Sequence, residues 1–193
     1  MLRGRTMAVA VVTSAAAVAS VTVSLAATSK TVEIPDPKAD VTGELDLQRV
    51  SLNLASDGRL RAVITLAGKA SPSAMLAGTG PPGSVCVKVW TVEEADPTAT
   101  RADRLVCVTA RSKDELRASV MSQTAPGLPV RVGSAAVRVN KSERSLVLRI
   151  AQSSLGRPKL IRFAVESTRP GCMRVSCIDQ VPDKGLVRRF RIR

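Results

Sequence analysis

The stretch Val50-Ser51-Leu52-Asn53-Leu54-Ala55-Ser56-Asp57-Gly58-Arg59-Leu60-Arg61-Ala62-Val63-Ile64 decides the fold. Two runs alternate apolar and polar residues, the pattern of strands with one buried face. Ser56-Asp57-Gly58 supplies turn chemistry between them. In an antiparallel hairpin, opposed positions share a constant sum. Setting Leu54 against Leu60 and Leu52 against Ala62 keeps the apolar side chains on one face. A slip of one residue sets Leu54 against Arg61 and splits that face. Parity therefore fixes a loop of odd length, with Gly58 in the left-handed position of a three-residue turn. Leu45 and Leu47 are out of phase with Val50, which places a bulge near Gln48-Arg49.

The same alternation recurs along the chain. Val85, Val87 and Val89 share a face, Val137 and Val139 pair naturally with Leu146, Leu148 and Ile150, and Ile161, Phe163 and Val165 form a further strand. Leu116 to Met121 and Val130 to Val132 are weaker candidates, and Phe190 and Ile192 end the chain. Ala151 to Gly156 suits one helical turn before Pro158, and Thr79-Gly80-Pro81-Pro82-Gly83 is a loop within the domain. About eight to ten short strands without long helical stripes predict an all-β domain, an antiparallel β-sandwich of immunoglobulin-like or jelly-roll-like form.

A second register concerns the cysteines. Setting Val87 against Val106 and Val85 against Val108 makes the valines the core face and brings Cys86 opposite Cys107 on the other face, beside Lys88 and Trp90. Opposed strand residues lie within disulfide range. Proximity couples Cys172 with Cys177 around Met173-Arg174-Val175-Ser176. Four cysteines allow three connectivities, of which register and proximity favour this one. A zinc site is the competing reading, but these spacings fit no familiar finger.

The leader sets the compartment. Arg3 and Arg5 precede an uncharged run from Thr6 to Ala27 that ends in the small residues Ser24-Leu25-Ala26-Ala27. This is the three-part pattern of a secretory signal peptide. Residues 1–27 are read as that signal peptide and 28–193 as one sandwich domain; an uncleaved anchor is the alternative. A secreted or cell-envelope location follows, and with it an environment in which thiols pair.

Composition then removes function classes. The chain carries 29 Lys+Arg against 16 Asp+Glu, net +13, with no His, no Tyr, two Phe and one Trp. Without His there is no Ser-His-Asp or Cys-His catalysis and no His-ligated metal. So few aromatics make neither a base-stacking platform nor an aromatic sugar-binding surface. Nucleic acid is therefore not an expected partner, and membrane contact is expected only through an uncleaved leader. The basic balance points to an anionic envelope polymer or another protein. Arg188, Arg189, Arg191 and Arg193 crowd the last strand. Arg189, Arg191 and Arg193 share the face opposite Phe190 and Ile192, either as an anion-binding stripe or as charges that keep an edge strand unpaired. Asp36, Asp40, Glu44 and Asp46 cluster around Gly43, and Asp179 and Asp183 would extend the set. Such oxygens suit calcium, although the spacing is not an EF-hand and turn chemistry explains it equally.

The run Asp36-Pro37-Lys38-Ala39-Asp40-Val41-Thr42-Gly43-Glu44-Leu45-Asp46-Leu47-Gln48-Arg49-Val50, with Asp57-Gly58-Arg59-Leu60 and the strands Val85-Cys86-Val87 and Leu105-Val106-Cys107-Val108, resembles uncharacterised secreted β-sandwich proteins of actinobacteria. More remotely it is similar to family-nine carbohydrate-binding and DOMON-type sandwiches. The resemblance implies calcium as the one candidate cofactor, with Asp36, Asp40 and Asp46 as ligands. The aromatic sugar clamp and the Met/His haem ligands of those families have no counterpart here. The functional expectation is a non-enzymatic exported binding or structural module, with a calcium-dependent carbohydrate-binding module as the alternative. A hydrolase using paired carboxylates ranks third, since no catalytic motif supports it.

Overall fold

The computed structural model describes residues 31–36, 43–91, 101–123, 127–140, 144–183 and 187–192. Residues 1–27, read above as a signal peptide, lie outside them. Eleven strands form one antiparallel sheet: β1 (Thr31–Pro35), β2 (Leu47–Leu54), β3 (Leu60–Leu66), β4 (Ser84–Trp90), β5 (Arg104–Ala110), β6 (Leu116–Ser122), β7 (Val130–Asn140), β8 (Ser145–Ile150), β9 (Leu160–Thr168), β10 (Ile178–Val181) and β11 (Arg188–Arg191). Spatial order runs β1-β2-β3-β8-β7-β6-β5-β4-β9-β10, and β11 also pairs with β9. Strands β4 to β8 form an unbroken meander. The crossover from β3 to β4 places β3 beside β8, and that from β8 to β9 places β9 beside β4.

The sheet folds on itself at β7. The first half of β7 pairs with β6, Ala135 opposite Ala118, and the second half with β8, Val137 opposite Leu148 and Val139 opposite Leu146. One half-sheet (β1, β2, β3, β8) thereby packs face to face on the other (β6, β5, β4, β9 with β10 and β11). A single core cluster draws on both halves, from Val50, Leu52 and Ile64 to Val87, Val106 and Phe163. The expected sandwich is thus joined along one side into a barrel-like sheet.

Both parity registers hold. Leu54 faces Leu60, Leu52 faces Ala62, and the register shifts between Leu47 and Arg49. Gly58 closes the turn at φ +74°, its N–H donating to Ala55 O at 2.9 Å. Cys86 faces Cys107, with Val87 against Val106 and Val85 against Val108. The disulfides are Cys86–Cys107 and Cys172–Cys177, and none of the cysteines is free. The first lies on the outer face of its half-sheet, away from the core. A 3-10 turn at Gln152–Leu155 stands where one helical turn was expected. A four-residue helix, α1 (Pro72–Met75), lies in the β3–β4 crossover and buries Met75 fully; Ser71 caps it through Ala74 N–H at 3.2 Å.

The structure differs from the sequence reading in three places. Strand β1 precedes the acidic segment, which therefore connects two strands rather than leading into the first. Val130–Val132 and Val137–Val139 belong to one strand, not two. Ile178–Val181, which reads as part of a turn, is strand β10.

Away from β7 the two half-sheets meet at a seam that no ladder crosses. Side chains cross it instead. The buried Asp179 of β10 accepts the Leu47 N–H of β2 at 2.6 Å, and the buried Ser167 hydroxyl of β9 donates to Leu45 O at 2.6 Å. Glu44 backs onto Gly68, whose N–H donates to Glu44 O at 3.1 Å. A Cβ on Gly68 would stand 2.4 Å from the Glu44 Cα, so only glycine lets the two chain segments lie this close.

Replacing Cys86 and Cys107 together by alanine releases a long cross-link and is expected to cost about 3 kcal/mol in a denaturant titration. Asp179→Ala strands the Leu47 N–H and should cost about 2–3 kcal/mol, against about 1 kcal/mol for Ser167→Ala. Equal, negligible losses at both positions in such a titration would remove the seam from the account.

Candidate anion-binding face

Strand β11 is short, yet it fixes the candidate site. Alternation sends Phe190 inward, 1% exposed, and Arg189 and Arg191 outward. Pairing then sets Phe190 opposite Ile161, Arg191 opposite Leu160 and Arg189 opposite Arg162 of β9. On its other side Arg162 faces Trp90 of β4. One row of the outer face thus reads Trp90, Arg162, Arg189 across three strands. Arg162 is half-buried, while Arg188, Arg189 and Arg191 are exposed. Arg193 lies outside the described residues.

Like charges directly opposed across a ladder repel. Among the described residues Arg188, Arg189 and Arg191 form no ion pair that would offset this. The neighbouring cation is satisfied: Lys88 of β4 bonds Glu166 of β9 at 3.1 Å and Gln180 of β10 at 3.3 Å. The same motif occurs on the opposite outer face. Arg61 of β3 faces Arg149 of β8, and Arg149 faces Ala136 of β7, two residues before Arg138. There Asp57 partly offsets the charge, 3.7 Å from Arg149 and 4.0 Å from Arg59. On the β11 side, by contrast, Arg188, Arg189 and Arg191 pair with no carboxylate among the described residues.

Trp90 is 4% exposed and packs with Ala102 and Ala164 in a small cluster on the outer side of the sheet. It acts there as packing, as its isolation in the sequence suggests. A groove of about 680 Å³ opens where β7 parts from β6, lined by Leu116, Val137 and Val139 together with Lys69 and Lys113.

The acidic set behaves differently from the arginines. Asp36 follows β1 and is buried, its N–H donating to Gln48 O at 2.9 Å. Asp46 precedes β2, also buried, and accepts from Gln48 Nε2 at 2.9 Å. Asp179 joins them on β10 through Leu47, whereas Asp183 is exposed. Asp40 lies outside the described residues. Among the described residues, no group of three or more His, Cys, Asp and Glu side chains is placed to hold a metal ion.

Two features of this arrangement escaped the sequence reading. Arg162 sits in the outward phase of Ile161-Phe163-Val165, so its direction was available, but its pairing with β11 was not. The role of Asp179 as a cross-seam acceptor had no local signal. No protein-family model matches the chain, and no curated protein matches it either. The resemblance to actinobacterial sandwiches, DOMON domains and family-nine modules therefore rests on its sequence pattern alone.

Arg189→Ala with Arg191→Ala removes exposed charge and no core contact. Its thermal midpoint is expected to stay within about 2 °C of the parent, since exposed substitutions cost at most about 0.5 kcal/mol. A large fall would instead make the arginines structural.

Proposed function

We propose that this chain is an exported, non-enzymatic module of the cell envelope or extracellular space that binds an anionic polymer through the β11 face. The observation that carries the reading is the run of exposed Arg188, Arg189 and Arg191 on β11, which pair with no carboxylate among the described residues. A polyanion laid along this strand would meet several guanidinium groups at once. Guanidinium groups also suit phosphate and carboxylate oxygens, which they bond in pairs. Two disulfides in a small domain are consistent with an extracellular or exported protein. The absence of His from the sequence supports binding over catalysis.

The test is binding of long-chain polyphosphate, used as a defined polyanion, across a salt series. Affinity should fall steeply as salt rises, because bound polymer displaces counterions. Arg189→Ala/Arg191→Ala is expected to weaken binding by about tenfold and to flatten the salt dependence. Binding unchanged in that variant would end the reading. A midpoint that rises with calcium and falls with chelator would replace it with the calcium-dependent carbohydrate-binding alternative.

A further inference from the structure

We propose that the corner where β7 begins is a docking site for an anionic lipid bilayer. Three large apolar side chains stand together there in solvent: Leu128 is 90% exposed, Val130 61% and Val132 50%. Single exposed apolar residues are ordinary, but three within five residues of one segment form a patch, and Val132 stands at a register shift where β6 leaves it without a ladder partner. The patch results from the sheet's own geometry. Strand β6 covers one edge of β7 from Val130 to Ala135, while β8 reaches only Ala136 to Asn140 on the other edge. Strand β8 ends at Ile150, and the 3-10 turn that follows packs beside β7 at Gly133, where Ser154 lies. The opening residues of β7 thus project past the end of their neighbour.

Charge at this corner selects the occupant. Arg131 lies between Val130 and Val132, exposed, and faces Met121 on the outer side. Val130 faces Ser122, whose hydroxyl accepts from Arg104 Nη1 at 2.9 Å. Arg101, exposed, lies three residues before Arg104. Apolar side chains flanked by arginines match the boundary between headgroups and acyl chains: the apolar groups enter, and the guanidinium groups stay with the phosphates.

A partner strand fits this corner less well. Pro129 removes a donor at the start of the edge, and Arg131 would meet its own copy in a symmetric antiparallel pair; both are devices that discourage edge pairing. Leu128 also lies ahead of β7, outside the strand itself.

The test must read this corner and not the leader or the β11 face. Leu128→Trp places a reporter at the patch, and the native Trp90 is already buried. With vesicles of equal parts phosphatidylglycerol and phosphatidylcholine, the emission of this variant should shift to shorter wavelength and be quenched by brominated acyl chains. Pure phosphatidylcholine vesicles should leave it unchanged. Leu128→Asp/Val130→Asp should lower vesicle partitioning by about tenfold or more while polyphosphate binding stays at the parent level, which separates this site from the polymer site. The inference is overturned if the reporter stays solvent-like while the protein sediments with vesicles. It is overturned equally if the aspartate variant partitions as well as the parent. A parent dimer that the aspartate variant breaks, without vesicle binding by either, would assign the corner to a second copy of the chain instead.

Discussion

A carboxylate holding a backbone N–H across a gap between two half-sheets is the contact on which this architecture depends. Along β7 the halves share a strand, so their separation and twist are set covalently. At the far margin they share nothing of that kind, and two apolar faces would be free to splay. Asp179 and Ser167 supply the missing fixings, one accepting from β2 and one donating to the residue chain just before it. Both are buried, so these bonds form where water does not compete and where their loss leaves stranded polar groups. Gly68 completes the margin by letting the segment before β2 lie directly against the chain beyond β3.

What the sequence discloses follows from this division. Local pairings are legible because parity alone sets them: a face of valines or leucines tolerates no slip. Hence the β2–β3 and β4–β5 registers, the bulge at Gln48, the turn at Gly58 and the Cys86–Cys107 pairing all come from alternation. Three elements resist for separate reasons. Strand β1 is an edge strand ending in Pro35, too short to declare itself. Strand β7 exchanges one partner for another through Gly133-Ser134-Ala135-Ala136, whose small side chains interrupt the apolar pattern at the fold's corner. Strand β10 carries a buried aspartate at an inward position, which inverts the rule that inward means apolar. The candidate site was legible in part. Arg189 and Arg191 lie where alternation puts them, but their pairing with Arg162 joins segments some distance apart in the chain, and nothing local encodes it.

The surface shows how a basic chain of this kind distributes its charge. Three carboxylates, Asp36, Asp46 and Asp179, are buried at the seam and around the start of β2, whereas Glu33, Glu44, Asp57, Asp114, Glu115 and Asp183 are exposed. The positive exterior follows chiefly from composition, 29 Lys+Arg against 16 Asp+Glu, and the three buried acids add to it by being withdrawn from the faces.

The nesting of the strands also governs how the polypeptide can come together. From β4 to β8 each strand pairs with its immediate successor, so that block assembles through short-range closures, which form quickly. The β2–β3 hairpin is made before β4 to β8 but lies beside β8, far later in the chain, and until β8 arrives the open edge of β3 has no partner. An early-made hairpin is thus the part of the domain that waits longest for its partner.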